Sequence, residues 1–127
     1  IKEKKNIFIL NKIDVKSDLF LKLCRECCWM FYPSCSEAMS TSVLTCMLHG
    51  LVPILIKENG FDKLEDNAYF LEDYRIDYIE KFVINLRKKT INEIEEKRMR
   101  MYKFARDEFV LNKFNYNFNK ILNEIGI

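Results

Sequence analysis

Hydrophobic and polar positions fall into two kinds of pattern along this chain. Continuous apolar runs occur at Asn6-Ile7-Phe8-Ile9-Leu10, Cys28-Trp29-Met30-Phe31-Tyr32 and Leu51-Val52-Pro53-Ile54-Leu55-Ile56, with a shorter one at Asn67-Ala68-Tyr69-Phe70-Leu71. Between and after them, apolar residues recur three and four positions apart. Runs of this length read as strands buried on both faces, and the helical spacing reads as amphipathic helices. The alternation predicts an α/β domain: a parallel sheet with strands near 6–10, 28–32, 52–56 and 68–71, helices on both faces and two closing C-terminal helices.

Local signals mark the helices. Ser17 is the N-cap of the first, with Asp18 in its first turn and Leu19, Phe20, Leu23, Cys24, Cys27 and Cys28 as its apolar face. A central helix carries Val43, Leu44, Met47 and Leu48 and ends at Gly50, the residue type favoured just past a helix C-terminus. Asp73 is a candidate cap for a third helix, whose apolar face is Ile76, Ile79, Phe82, Val83 and Leu86. Thr90-Ile91-Asn92-Glu93 is a capping box. The helix it opens turns Ile94, Met101, Ala105 and Phe109 inward. The last helix carries Leu111, Phe114, Phe118, Ile121, Leu122 and Ile125, has asparagines on its polar side and ends at Gly126.

Composition narrows the class. The chain of 127 residues suits a single domain spanning 1–127, and 49% apolar residues are enough for a core. No window approaches the roughly 18 apolar residues of a membrane span. The charged start Ile1-Lys2-Glu3-Lys4-Lys5 is not a signal peptide, and the lack of an initiator Met fits a segment of a longer chain. A net charge of +2 gives no reason to expect nucleic acid as a partner. The basic stretch from Arg87 to Arg106 is interleaved with acids, and the pairs Glu93–Lys97 and Glu96–Arg100 make it a solvated helix face. Five cysteines, an odd number set among apolar residues, read as buried, inert thiols in a reducing cytoplasm. Cys24-x-x-Cys27 lacks the second pair or the histidines that zinc requires, so no metal and no cofactor are expected.

The turn between the second strand and the central helix is polar, with Ser34, Ser36, Glu37, Ser40 and Thr41. In parallel α/β sheets ligands bind at such turns, where helix N-termini present unbonded N–H groups. The amides of Met39 to Ser42 would face an anion there. The competing reading is simple capping by Ser40 or Thr41, with Glu37 a carboxylate favoured by the helix dipole. His49, at the far end of the helix, reads as structural. Lys57-Glu58-Asn59-Gly60-Phe61 is a polar turn after the third run.

Pro33-Ser34, Glu37, Gly50 and Pro53, set in this order of elements, resemble the nucleotide-sugar site of the retaining glycosyltransferases built from two Rossmann-like domains. The resemblance covers nearly all of this chain, and only the later part of that family's C-terminal, donor-binding domain. It implies a Rossmann-like fold and transfer of a sugar from a nucleotide diphosphate to an acceptor, as in surface polysaccharide synthesis. It implies Glu37 as the catalytic carboxylate. It assigns donor binding to Ile13, whose backbone would meet the base, and to Ser36, Ala38, Met39, Ser40, Thr41 and Thr45. Asn11 stands where the family has Gly after its strand, and can adopt the left-handed angles that turn needs. The loop 57–61 would lie near the donor sugar. Departures are Ala38 and Ser40 in place of glycines, and Thr45 in place of the Glu that holds the ribose. Thr45 leaves two options: a ribose held elsewhere, or a deoxyribose donor. Partners implied are the nucleotide diphosphate sugar and an N-terminal acceptor domain of a parent chain at the membrane periphery. Strands absent between the first and second runs leave either direct pairing of those two or a dimer of the fragment. The rival reading is a non-catalytic flavodoxin-like interaction or regulatory module. A phosphorylatable receiver is opposed by Asn11-Lys12 and Pro33-Ser34, where acidic residues would be needed.

Overall fold

The computed structural model describes residues 7, 8, 10–34, 38–61, 64 and 66–126. In chain order the elements are α1 (Asp18–Glu26), β1 (Trp29–Tyr32), α2 (Thr41–Leu48), β2 (Val52–Ile56), β3 (Tyr69–Leu71), α3 (Ile76–Leu86), α4 (Ile91–Glu108) and α5 (Leu111–Glu124). The strands form a parallel sheet in the order β1-β2-β3, with Trp29 opposite Val52 and Ile54 opposite Tyr69. This is the α/β, Rossmann-like arrangement that the alternating pattern predicts.

β2 is central and buried along its whole length, as a strand covered on both faces must be. It tolerates Pro53 because of where the missing donor falls. The Val52 N–H donates to the Cys28 carbonyl on the β1 side, so position 53 faces the β3 side, and β3 begins only opposite Ile54. The two faces then take different helices. Leu55 packs with Val43 and Met47 of α2 and Met101 and Ala105 of α4, joined by Phe61 and Leu64. Ile54 and Ile56 pack with Leu71 and with Leu86, Ile79 and Phe82 of α3. Each such side chain stabilises the fold by roughly 1.5–3 kcal/mol relative to an exposed one. Arg98 fixes α4 to its neighbours: Nε donates to the Gly50 carbonyl at 3.0 Å and Nη2 to the Cys24 carbonyl at 3.4 Å.

Several expectations need correction. Ile7, Phe8 and Leu10 are outside any strand and exposed, at 60%, 83% and 47%; Asn6 and Ile9 lie outside the described residues. Extended apolar sequence becomes a strand only where a ladder takes it up, and β1 does not pair with those three. Asn11 does not use left-handed angles, which among the described residues belong to Gly50, Gly60 and Gly126 alone. Asp73 is not the cap of α3. Its carboxylate accepts from the Arg75 backbone N–H and from Arg75 Nε, and Arg75 holds the cap position. Ile76 and Val83 are exposed rather than inward. α1 stops at Glu26, so Cys27 caps it and is exposed. Among the described residues, α4 carries the ion pairs Lys89–Glu93, Arg98–Glu95 and Lys113–Glu108; Lys97 turns instead to the Asp66 carbonyl and lies 4.3 Å from the Tyr69 ring centre. The Ser17 cap, the Thr90–Glu93 capping box and Gly50 at φ +81° stand as the sequence predicts.

α5 is the outlier. It is a regular helix, yet Leu111, Phe114, Phe118, Ile121 and Ile125 are all about half exposed or more. Their spacing of 3, 4, 3 and 4 makes one continuous stripe. A groove of about 770 Å³ separates this stripe from Leu44, Phe61, Leu64 and Phe104 on the body of the domain. No helix among the described residues is long and apolar enough to cross a membrane.

Candidate functional site

β1, β2 and β3 run in the same direction, so the loops after them gather at one edge of the sheet. The loop after β1 leads into α2, and the loop after β2 is pressed against it. Gly60 makes that contact. A Cβ built on it would stand 1.5 Å from the Ala38 carbonyl oxygen, and its φ is +67°. Both facts demand glycine: no side chain fits the gap, and L residues rarely adopt the angle. Asn59, its neighbour, has no exposed surface. Its Nδ2 donates to the Ser34 carbonyl at 3.3 Å. Its Oδ1 is buried and has no hydrogen-bond partner among the described residues.

α2 opens without a side-chain cap. Ser40 occupies the N-cap position with extended backbone angles and is buried, but its hydroxyl accepts no helix N–H. The first backbone bond of the helix runs from the Leu44 N–H to the Ser40 carbonyl, which leaves the amides of Thr41, Ser42 and Val43 ahead of the ladder. No acidic residue stands in the first turn of the helix. Ala38, Met39 and Thr41 are exposed beside this opening. A helix start in this condition favours an anion through both its N–H groups and its dipole.

The predicted residues do not all converge. Ala38, Met39, Ser40 and Thr41 surround the α2 N-terminus. Ser36 and Glu37 lie outside the described residues, as does Cys35. Ile13 is half-buried in the loop before α1. Thr45 is one turn further along α2, where its Oγ1 donates to the Thr41 carbonyl at 2.8 Å, so its hydrogen is engaged within the helix. His49 caps the other end of α2. Its Nδ1 lies 2.9 Å from the Thr45 carbonyl, which can only accept, so Nδ1 carries the proton; the ring also meets Phe20 edge-on. These contacts give His49 the structural role predicted for it.

Asn59 and Gly60 are the site residues that pattern reading undervalues. The Asn-Gly pair is a turn signal, and it marks the loop without telling which neighbour the loop touches. Beside it, a cleft of about 260 Å³ opens at the ends of β2 and β3, lined by Ile56, Lys57, Glu58, Leu71, Asp73 and Tyr74. Asp73 is held below the usual carboxylate range there, first by the Arg75 backbone N–H and then by the Arg75 side chain. Burial pushes the Cys46 thiol up to about 11 and raises Cys24 as well.

No family model, curated protein or solved structure matches this chain.

Proposed function

We propose that this chain is the later part of the donor-binding domain of a retaining glycosyltransferase of the two-domain Rossmann-like type, a cytoplasmic enzyme whose acceptor domain lies elsewhere in a parent chain. The observation that supports this reading best is the uncapped start of α2 at the carboxyl edge of a parallel sheet, with Gly60 seated against Ala38. The diphosphate of a nucleotide sugar is the ligand suited to it. Its oxygens accept from the amides of Thr41 and Ser42. As the bond between the anomeric carbon and the phosphate oxygen breaks, negative charge grows on the leaving diphosphate, and fixed N–H dipoles stabilise it. Glu37 is the carboxylate assigned to support the positive charge that develops at the anomeric carbon. Ala38, Met39 and Ser40 line the donor site through their backbone, and Ile13 meets the base.

The test is calorimetric titration of the full-length protein with uridine and thymidine diphosphates and their sugar conjugates, followed by turnover of Glu37→Ala. Saturable binding with strongly reduced kcat in the variant is expected. Absence of binding by every one of these nucleotides removes the reading. It leaves the rival, a non-catalytic interaction module, which the exposed apolar stripe of α5 favours.

A further inference from the structure

α5 carries one step more. None of its described residues is buried, no side chain caps its start, and neither terminal turn holds a charge that suits the helix dipole. Asn112, Asn115, Asn117, Asn119 and Asn123 fall among its 14 residues, and asparagine is a poor helix former. A helix of this length is marginal in water even when its residues favour it, so packing must hold α5. The body of the domain buries none of it. The stripe alone does not name its cover, but its period names the kind of cover. Leu111, Phe114, Phe118, Ile121 and Ile125 are spaced alternately three and four apart, the repeat of a seam that packs against another helix. A helix lying on a domain face carries a wider apolar band. The rings of Phe114 and Phe118 stack at 5.9 Å and 8° from parallel, so the middle of the seam is one flat apolar surface.

We propose that the cover is a second copy of this chain: two α5 helices pair antiparallel across a two-fold axis, seam against seam. The area suffices. At roughly 100 Å² for each half-exposed side chain, the stripe buries roughly 500 Å² per copy and roughly 1,000 Å² across the pair, the size at which an interface becomes specific. No other helix among the described residues leaves so long an apolar stripe exposed. One rotation covers both stripes and leaves neither to recruit further copies. The flanks permit self-pairing. Asn115 and Leu122 border the seam on one side, Asn117 and Glu124 on the other. Glu124 is the single charge in that set, lies at the helix end and pairs with Lys120 at 3.8 Å, so like charges do not meet along the seam. Antiparallel alignment also sets the two helix dipoles head to tail. Behind α5, the groove offers the partner's helix a second apolar wall in Leu44, Phe61, Leu64 and Phe104. The pairing goes beyond the donor-site reading and does not depend on it.

Sedimentation equilibrium of the full-length protein between about 1 and about 100 μM should show monomer and dimer in exchange, as suits an interface of this size. Phe118→Asp puts a charge at the centre of the seam and should weaken dimerisation by about thirtyfold or more, the scale of one central anchor residue. Because α5 adds nothing to the buried core, the variant should keep the near-ultraviolet circular dichroism of the wild type. Should it unfold instead, hydrogen exchange on the wild type decides. The α5 amides should be protected at about 100 μM and exchange freely at about 1 μM, while those of β2 stay protected at both. A wild type that remains monomeric throughout overturns the proposal, and so does a Phe118→Asp dimer of unchanged affinity. Protection of α5 at every concentration in a monomer assigns the stripe to another segment of the same chain, which also overturns it. None of these outcomes bears on nucleotide binding, so the pairing and the donor-site reading fail separately.

Discussion

α2 and α4 begin in opposite ways. α4 closes its own N-terminus: the Glu93 N–H donates to Thr90 Oγ1, and the Thr90 N–H donates to Glu93 Oε2 at 2.8 Å, a reciprocal pair that serves two otherwise unbonded amides. Lys89 adds a charge to the same carboxylate. α2 does none of this. Its N-cap serine accepts no amide, its first turn has no acid, and the nearest buried polar side chain, Asn59, is itself short of a partner. Both helices carry a good capping residue, but only α4 has a Glu three residues on to complete a box; Val43 stands there in α2. α4 packs against α2 on the same face of the sheet and uses its own cap for stability. α2 sits at the carboxyl edge of the sheet, where an open start costs stability and leaves amides available for a ligand.

The sharpest way to break this contrast is to push the two loops apart. Gly60→Ala puts a methyl group into the Ala38 carbonyl and forces an L residue to φ +67°. The combined strain should destabilise the protein by about 3 kcal/mol, read as a shifted midpoint in urea unfolding with an unchanged slope. Tolerance of alanine would mean that the loop after β2 does not press on the α2 turn. Next in size is Thr90→Ala, which removes the hydroxyl from a complete capping box and should cost about 1 kcal/mol.

The closed start also has a pH signature. The Thr90 backbone N–H, then Lys89, then the Thr90 hydroxyl hold the Glu93 carboxyl down to about 2, against an ordinary value of 4.5. Its folded value lies below its unfolded one, so the stabilisation is complete above about 4.5 and disappears as pH falls toward 2. A carboxylate titration by NMR should place the Glu93 midpoint near 2, and Glu93→Gln should flatten that portion of the stability profile. A Glu93 midpoint near 4.5 would leave the capping box without its ionic part.

These cases also mark where reading the sequence succeeds. β1, β2 and β3 were legible because a strand buried on both faces must be apolar throughout, and the chain has few other continuous runs. The Thr90 box and Gly50 were legible because each is a local device whose partners lie within four residues. What escaped depends on contacts between distant positions. Ile7, Phe8 and Leu10 have the composition of a strand, but composition does not supply the neighbour that makes one. α5 has as regular an apolar stripe as α4, and a stripe tells which face is apolar without telling what covers it. At the site, the polar turn and the open helix were visible in outline. Asn59 was visible only as a member of a polar turn, because the carbonyl it bonds lies 25 residues away.

The smallest effect expected is the most informative about α2. Ser40 stands at an N-cap, and a cap serine replaced by alanine ordinarily costs about 1 kcal/mol. Here the hydroxyl bonds no helix amide, and the backbone bond from Leu44 uses the Ser40 carbonyl, which alanine retains. Ser40→Ala should therefore change stability by less than about 0.5 kcal/mol, within the range of substitutions that break no specific interaction. Thr90→Ala, measured alongside in the same urea titration, provides the scale. A loss at Ser40 equal to that at Thr90 would show that its hydroxyl caps α2 in solution, and the amides of Thr41 to Val43 would no longer be fully open to a ligand. A negligible loss at Ser40 beside a full loss at Thr90 preserves the difference between the two helix starts on which the donor-site reading stands.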